Sequence, residues 1–166
     1  MSAKPELTSV STATDAPPPP FGDKHRFLFE GKHWSVFLYR NQKYLGRCAV
    51  YLKTRAIEDP LELTDAEREE LWNEILPKLV RALNAAFHPD RINYAHLANR
   101  LHHVHWHVVP RYTEQRSYEF AGHGFSDKRR GKIFRTKRYR VPKQVREQIY
   151  ARLRKELDKP AGSTSP

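Results

Sequence analysis

The chain has 166 residues, and its 30 lysines and arginines outnumber its 19 aspartates and glutamates, giving a formal net charge of +11. This length suits one globular domain with flanking tails. A single cysteine, Cys48, excludes a scaffold stapled by internal disulfides, and no apolar run is long enough to span a membrane. No apolar segment follows the initial methionine as it would in a secretory signal, so we expect a cytoplasmic protein.

Composition divides the chain into one domain and two tails. Residues 1–24 are rich in Ser, Thr, Ala and Pro, with four consecutive prolines at 17–20, and are predicted to be disordered. Residues 25–158 are predicted to form a single domain whose last part is a basic extension. Residues 159–166 are predicted to be a second disordered tail.

The first predicted elements are a β-hairpin and a long helix. Residues 33–39 and 45–52 are rich in β-branched and aromatic side chains and flank a polar turn at 41–43. Thr64 and Glu67 have the spacing of a capping box, which starts a helix. Pro77 is predicted to bend or interrupt that helix. Apolar residues at helical spacing predict its core-facing stripe: Leu71, Trp72, Ile75, Leu76, Leu79, Val80 and Leu83.

Three histidines then alternate with apolar residues, with the period of a half-buried strand. The apolar residues Val104, Trp106 and Val108 are therefore predicted to face the core, where the long helix packs. The histidines are predicted to lie together on the opposite face of the strand. They are His103, His105 and His107.

A zinc site is the rival interpretation of these histidines, because His-x-His on a strand can supply two ligands to one ion. Same-face residues are about 6.7 Å apart, so His103 and His107 lie about 13 Å apart along a strand. That separation is too large for both to bind one ion at about 2.1 Å. Cys48 offers no cluster to complete a site, and we expect no protein-bound metal.

The segment His103-Val104-His105-Trp106-His107-Val108-Val109 matches the pattern His-φ-His-φ-His-φ-φ at every position, where φ is apolar. The chain therefore resembles the histidine triad (HIT) family over roughly residues 33–112, and Pro110-Arg111 is similar to the family's ending. The resemblance implies an α+β fold, with a HIT-like antiparallel sheet that carries the triad and a long helix packed on it. It also implies a homodimer.

The resemblance further implies an enzyme that hydrolyses or transfers a nucleotide at its α-phosphate. His105 corresponds to the nucleophile that forms a transient nucleotidyl-histidine, which suits a neutral imidazole near pH 7. His103 resembles the residue that organises the scaffold, and His107 resembles the one that contacts phosphate and the leaving-group oxygen. The chain resembles the diadenosine tetraphosphate hydrolase-like branch, so we expect dinucleoside polyphosphates or related conjugates as substrates. No cofactor is expected, apart from Mg²⁺ carried by the substrate phosphates.

Amide side chains are predicted to bind the substrate. Asn93 and Asn99 resemble family residues aimed at ribose or phosphate oxygens, and the alternative for each is an ordinary turn residue. In the family a glycine usually precedes the position of Asn99, whereas Ala98 stands here.

Two arginines stand where the family commonly has histidine or another basic residue. Arg47 follows Gly46 in a strand that resembles one opening with Gly-His, and Arg55 lies further along. An arginine near the triad would hold phosphate as a fixed cation and would not exchange protons. Solvated edge residues are the alternative, which we favour for Arg55. Phe37 and Tyr39 are candidates for a nucleoside pocket, with core positions as their alternative.

The last third of the chain carries most of the charge. Lysines and arginines number 14 against 13 acidic residues before Arg111, and 16 against 6 from Arg111 onward. Aromatic residues interleave with the basic ones, as in surfaces that bind phosphates and bases. Raising the local concentration of a polyphosphate is favoured over nucleic-acid binding. The basic residues are Lys128, Arg129, Arg130, Lys132, Arg135, Lys137, Arg138 and Arg140.

A C-terminal helix is predicted to follow, from Pro142 to residue 159. Its apolar residues fall on one face: Val145, Ile149, Leu153 and Leu157.

Three functions are compatible with these features. The first is a HIT hydrolase acting on dinucleoside polyphosphates or related nucleotide conjugates. The second is a nucleic-acid-directed family member that removes adenylate, similar to aprataxin, although the zinc module that accompanies such domains is missing from the sequence. The third is a non-catalytic nucleotide-binding protein. We favour the first, because all three histidines are intact.

Overall fold

One antiparallel sheet, with helices packed on one of its faces, makes up most of the protein. The structure, a computed structural model, describes residues 26–112, 118–128, 131–134 and 139–160. The five strands of the sheet lie in the spatial order β1-β2-β3-β5-β4. They are β1 (Arg26–Glu30), β2 (Trp34–Leu38), β3 (Cys48–Leu52), β4 (Arg91–Ala95) and β5 (His105–Arg111). The predicted hairpin is therefore confirmed as the pair β2 and β3.

A second, smaller hairpin belongs to the basic extension. Its strands are β6 (Tyr118–Phe120) and β7 (His123–Phe125). The turn between them places Ala121 at φ 55° and Gly122 at φ 70°. Two consecutive residues with positive φ are typical of the tight turns that fit the twist of a β-hairpin.

The long helix begins as the sequence predicts. Glu67 donates its backbone N–H to the Thr64 hydroxyl, and its carboxylate accepts the backbone N–H of Thr64. Helix α1 (Asp65–Glu70) runs into a π-helical turn (Leu71–Ile75) and then into α2 (Leu76–Phe87). Pro77 lies at the start of α2, directly after the π-helical turn, and such turns are sites where a helix can accommodate a proline that lacks an N–H. The predicted interruption is thus a widened turn, and the helix continues through it.

The predicted apolar stripe is confirmed except for Trp72, which is 50% exposed. Its indole lies beyond the core and packs edge-on against Trp106 and Tyr94, with ring centroids 5.8 and 6.4 Å away. Helical spacing could not reveal this, because β4, which carries Tyr94, is an edge strand of the sheet. Val80 is partly buried, and the other five residues are fully so: Leu71, Ile75, Leu76, Leu79 and Leu83.

The C-terminal helix α3 (Lys143–Leu157) closes the core. Its predicted apolar face, Val145, Ile149, Leu153 and Leu157, is buried in the same cluster as the helix α2 and the sheet. Arg154 donates to the backbone carbonyl of Leu28 in β1 and so ties the end of the chain to its first strand. The α+β fold with a long helix and a C-terminal helix is confirmed.

The two predicted tails lie almost wholly outside the described residues, which begin at 26 and end at 160. The domain boundaries at 25 and 158 stay predictions. Among the described helices, none has the length and apolar character needed to cross a bilayer.

Candidate active site

Strand β5 and the residues before it place the three histidines on the face of the sheet opposite the helical core. Val104 and Val108 are fully buried in the core cluster and Trp106 packs against it, as the alternation predicts. The histidines are also covered, with only 3%, 5% and 7% of His103, His105 and His107 exposed. The period of a half-buried strand predicts exposed imidazoles on this face, and that prediction is wrong because aromatic side chains cover it.

Tyr51 of β3 is one of the aromatic residues that cover this face. It pairs with His105 across the ladder and stacks on its imidazole, with ring centroids 5.1 Å apart and planes 4° apart. It also stacks on His103 at 6.4 Å. Both imidazole planes therefore lie nearly parallel to the phenol ring.

The backbone fixes the tautomer of His105. Its Nδ1 lies 2.7 Å from the carbonyl oxygen of His103, and because a carbonyl only accepts, Nδ1 must carry the proton. Nε2 is then left with a lone pair. Burial lowers the pKa of His105, and the nearby His96 and His103 lower it further, against an opposing effect of the backbone hydrogen bond. Both effects favour a neutral His105 near pH 7, with Nε2 unprotonated.

His103 connects the triad to β3. Its Nε2 donates to the backbone oxygen of Leu52 at 2.7 Å, which places the proton of the neutral ring on that nitrogen. This hydrogen bond fits the scaffold role that the family resemblance implies. The role itself stays a prediction.

His107 lies against His105 and faces an arginine. The two imidazoles are perpendicular, with centroids 5.0 Å apart. Nδ1 of His107 is 3.4 Å from Nη2 of Arg47. Tyr39 and Phe134 pack on the other sides of the ring, at 5.6 and 5.9 Å.

Arg47 is fully buried, so the alternative of a solvated edge residue is wrong for it. Its guanidinium stacks on the ring of Tyr39 at 4.0 Å and lies 5.2 Å from the ring of Phe134. Burial lowers the pKa of Arg47. The structure thus brings this residue to the triad, while its predicted contact with substrate stays a prediction.

A buried glutamine holds the loop before β3, which carries Arg47, by hydrogen bonds. Gln42 lies in the predicted polar turn, yet it is fully buried and donates to the carbonyls of Tyr39 and Arg47. Its own side-chain oxygen accepts the N–H of Gly46 at 2.8 Å. Gly46 has φ 81°, a conformation that favours glycine. These bonds explain why the chain turns sharply just before the arginine.

Arg55 does not join the site. It forms two hydrogen bonds with the carboxylate of Glu67, at 2.9 and 2.8 Å, and one with the carbonyl of Glu62. These bonds lower the pKa of Glu67 to about 2. Arg55 therefore binds residues at the start of helix α1, and it forms more hydrogen bonds within the protein than a solvated edge residue would.

The two asparagines differ in their surroundings. Asn93 accepts a hydrogen bond at 2.6 Å from Arg111, which forms a buried ion pair with Asp127. Asn99 is exposed in the loop that leads into the triad. The preceding Ala98 has φ 44°, so this alanine adopts the left-handed conformation that the family's glycine would favour. Substrate binding by either asparagine stays a prediction.

Besides Tyr51, sequence reasoning missed His96 and Phe134 as neighbours of the histidines. His96 follows β4, and its ring lies 6.1 Å from that of His105 and 5.9 Å from that of Trp106. Burial lowers the pKa of His96. Phe134 reaches His107 from the basic extension. Nothing in the spacing marked Phe134, whereas the register of β4 against β5 could have placed His96 near the site.

The described part of the extension encloses a cavity of about 300 Å³. It adjoins Tyr44, whose ring packs against Phe134 at 6.3 Å. Five members of the predicted basic cluster lie outside the described residues: Arg129, Arg130, Arg135, Lys137 and Arg138. The cavity is lined by Lys43, Tyr44, Gly124, Ser126, Asp127, Lys128 and Tyr139.

Comparisons with known proteins agree with this geometry. A protein-family model of the HIT domain matches residues 23–114. A histidine triad protein from Bradyrhizobium japonicum has a similar structure, with a TM-score of 0.63 and 16% identity over 81% of this chain and 91% of that one. A hypothetical histidine triad nucleotide-binding protein from Sulfolobus tokodaii has a TM-score of 0.58 and 18% identity, covering 81% of this chain and 84% of that one.

A third structural neighbour is a zinc-bound histidine triad family protein from Mycobacterium smegmatis. Its TM-score is 0.51 at 19% identity, over 79% of this chain and 82% of that one. In the chain studied here, no group of three or more His, Cys, Asp or Glu side chains within the described ranges is arranged to hold a metal. A comparison with curated protein sequences gave no match.

Proposed function

We propose that this chain, which belongs to the HIT domain family, is a nucleotide hydrolase that acts on dinucleoside polyphosphates or related nucleotide conjugates. Members of this family are generally nucleotide-binding hydrolases or transferases. The observation that carries the proposal is the hydrogen bond from His105 Nδ1 to the carbonyl of His103, which leaves Nε2 of a neutral, buried imidazole as a nucleophile.

The reaction follows from that tautomer. Nε2 of His105 attacks the α-phosphorus, a P–N bond forms, and the bond to the leaving group breaks with its electron pair on the leaving atom. Water then attacks the nucleotidyl-histidine and gives up a proton to solvent, while the P–N bond breaks and its electron pair returns to Nε2. Imidazole is a better nucleophile than water in the first step and a good leaving group in the second. In this proposal His107, whose ring centroid is 5.0 Å from that of His105, hydrogen-bonds phosphate and leaving-group oxygens.

The site supports this chemistry without a resident metal in our proposal. The triad histidines use ring nitrogens to bind backbone carbonyls or face Arg47, an arrangement that favours fixed tautomers over metal ligation. Mg²⁺ would arrive with the substrate phosphates. This part of the proposal would fail if the purified protein held stoichiometric zinc, and if activity were lost when the zinc was removed and restored when it was returned.

A substrate panel tests the function. Diadenosine tetraphosphate, adenosine phosphoramidate and adenylated DNA should be compared, with the products identified for each. We expect AMP to be released fastest from the polyphosphate. His105→Ala should abolish turnover by several orders of magnitude because it removes the nucleophile.

Since His105 is buried and stacked on Tyr51, His105→Asn serves as the control that keeps a polar group of similar reach. Both variants should lose a nucleotidyl adduct that mass spectrometry detects on the wild-type histidine. A variant that folds and keeps the wild-type product pattern would rule out covalent catalysis by His105.

We further propose that the protein is a cytoplasmic homodimer. Strand β4 is an edge strand, and next to it the aromatic residues Tyr94 and Trp72 are 41% and 50% exposed. An edge strand beside apolar side chains is a surface that a second copy can cover. Sedimentation should show a dimer for the wild type and a monomer for Tyr94→Glu. A wild-type monomer at micromolar concentration would contradict the proposal.

The nucleic-acid-directed alternative rests on the basic extension. The cavity there has Lys43 and Lys128 among its lining residues. Phosphate groups of an oligonucleotide and of a polyphosphate would both be attracted to such a surface. Affinity as a function of salt concentration separates the two, as argued below.

A further inference from the structure

Arg47 is buried without a carboxylate partner among the described residues. None of its side chain is exposed, and Nε and Nη1 have no hydrogen-bond partner in that part of the chain. The groups that surround the guanidinium are the rings of Tyr39 and Phe134. An unmatched buried cation costs free energy, so a stable fold tolerates it only where something is gained.

The contact of Arg47 with His107 fixes the tautomer of that histidine. A guanidinium can only donate, so Nδ1 of His107, 3.4 Å from Nη2, must face it with a lone pair. Neutral His107 then carries its proton on Nε2. A doubly protonated His107 would point Nδ1–H at another N–H, with no acceptor between them.

We propose that Arg47 is a positioning residue which keeps His107 as a neutral Nε2–H donor, and that it thereby selects substrates whose leaving group departs as an anion. The inference rests on the proposed function and names the substrate class of that same site. Arg47 is fully covered in this conformation, and in this proposal it acts through His107.

The selection follows from where the electrons and protons go. When His105 Nε2 attacks phosphorus, the leaving atom takes the electron pair of the broken bond. A phosphate oxygen bears that pair as an anion, and a hydrogen bond from His107 together with the nearby guanidinium charge stabilises it. An amine nitrogen must instead receive a proton, and a neutral His107 held by Arg47 is a poor source of one. The site therefore favours polyphosphates over phosphoramidates.

Two substrates with the same adenylyl group and different leaving groups test the selection. The leaving group of diadenosine tetraphosphate is a polyphosphate anion, whereas that of adenosine phosphoramidate is ammonia. Arg47→Met should reduce the ratio of their kcat/KM values about tenfold, the scale of one unit charge acting over several ångströms inside a protein. Arg47→Lys, which keeps a charge and a donor, should fall between Met and wild type. Equal losses on both substrates would overturn the proposal.

Arg81→Met is the matched control, because Arg81 is exposed on helix α2. It removes the same charge from a different part of the molecule and should leave the ratio unchanged. A ratio that falls as far in this control would show that net charge, and not the position of Arg47, is responsible.

A second measurement needs no turnover. In protein labelled with ¹⁵N-histidine, long-range proton–nitrogen spectra distinguish protonated from unprotonated ring nitrogens, and His107→Gln identifies the relevant signals. We expect wild-type His107 to be protonated on Nε2 only and Arg47→Met to show a mixture of tautomers. A proton on Nδ1 in the wild type would overturn the proposal. Because these spectra decide the positioning role in protein that hydrolyses nothing, failure of the proposed function and failure of this inference are distinguishable.

Discussion

At the scale of single residues, burial decides the protonation of His105, the nucleophile in our proposal. The pKa of His105 is lowered from its ordinary value near 6.5, chiefly because 95% of the residue is removed from water. Its neutral form is the reactive one, so the rate falls only as the pH drops through the lowered pKa. We expect the acidic limb of the kcat/KM profile to lie below about pH 6.5.

The control for this pH profile is a measurement that the protein stays folded at each pH. The pKa of Glu67 is about 2, against an ordinary value near 4.3, so the stability that it gives the helix cap persists until the pH falls towards the lower value. Circular dichroism at each pH should therefore show an intact helix across the acidic limb. An acidic limb above pH 6.5 in folded protein would contradict the effect of burial.

The loop before the triad contains strain at one alanine. Ala98 has φ 44°, which costs an alanine about 1 kcal/mol relative to glycine. Ala98→Gly should therefore raise the free energy of unfolding by up to about 1 kcal/mol, after the greater freedom of glycine in the unfolded chain is subtracted. Urea titration measures the change.

Ala85→Gly provides the comparison for this prediction. Ala85 is exposed on helix α2, where the same substitution should cost about 1 kcal/mol. Opposite signs for the two variants would establish the strain at Ala98. A loss of stability in both would show that residue 98 relaxes at no cost.

At the scale of elements, the turn before β3 sets the position of Arg47. Gly46 combines φ 81° with a packed environment, in which an added Cβ would lie 2.8 Å from Phe87 and 2.9 Å from Leu83 on helix α2. Gly46→Ala should lower the free energy of unfolding by about 2–4 kcal/mol through backbone strain and overpacking. It should also lower kcat, because Arg47, which directly follows Gly46, must shift.

Gly124→Ala is the matched substitution. Apart from its chain neighbours, no atom of the described residues lies within 4 Å of the Cβ that it would add, so the stability should change by less than about 0.5 kcal/mol. Urea unfolding of both variants gives the comparison, and a Gly46→Ala protein as stable as wild type would contradict the packing argument.

At the scale of the whole molecule, charge is concentrated in the extension. Neutralising Lys128, Arg129, Arg130 and Lys132 together should raise KM for a polyphosphate severalfold with little change in kcat, if the cluster attracts the anion. The effect should shrink with added salt, since the Debye length is about 8 Å at physiological ionic strength. Steady-state kinetics over a salt series checks both statements.

Oligonucleotide binding by the same proteins decides the nucleic-acid alternative. Tight, steeply salt-dependent binding that the neutralised variant loses would favour that alternative over the polyphosphate hydrolase. The control neutralises four exposed cations elsewhere: Arg81, Arg91, Lys143 and Lys155. It should have little effect on KM if the location of the charge, and not its sum, matters.

Local patterns in the sequence predicted the elements and the faces of the triad strand, because alternation and capping depend on neighbouring residues. Contacts between distant segments were not predictable in that way. Tyr51 packs on His105, and Phe134 of the extension packs on His107. Trp72 fitted the helical stripe and still faces the sheet edge, because helical spacing does not reveal where a sheet ends.

The ion pair of Arg111 with Asp127 has a consequence for how this protein can vary. Both side chains are 3% exposed, and removing either one would strand its partner's charge, at a cost of about 3–5 kcal/mol. Single substitutions at either position are therefore disfavoured, whereas paired ones are accessible. Arg111 ends the triad strand and Asp127 belongs to the basic extension. A replacement for the extension must therefore bring a carboxylate to Arg111, or Arg111 in the strand that carries the histidines must change with it.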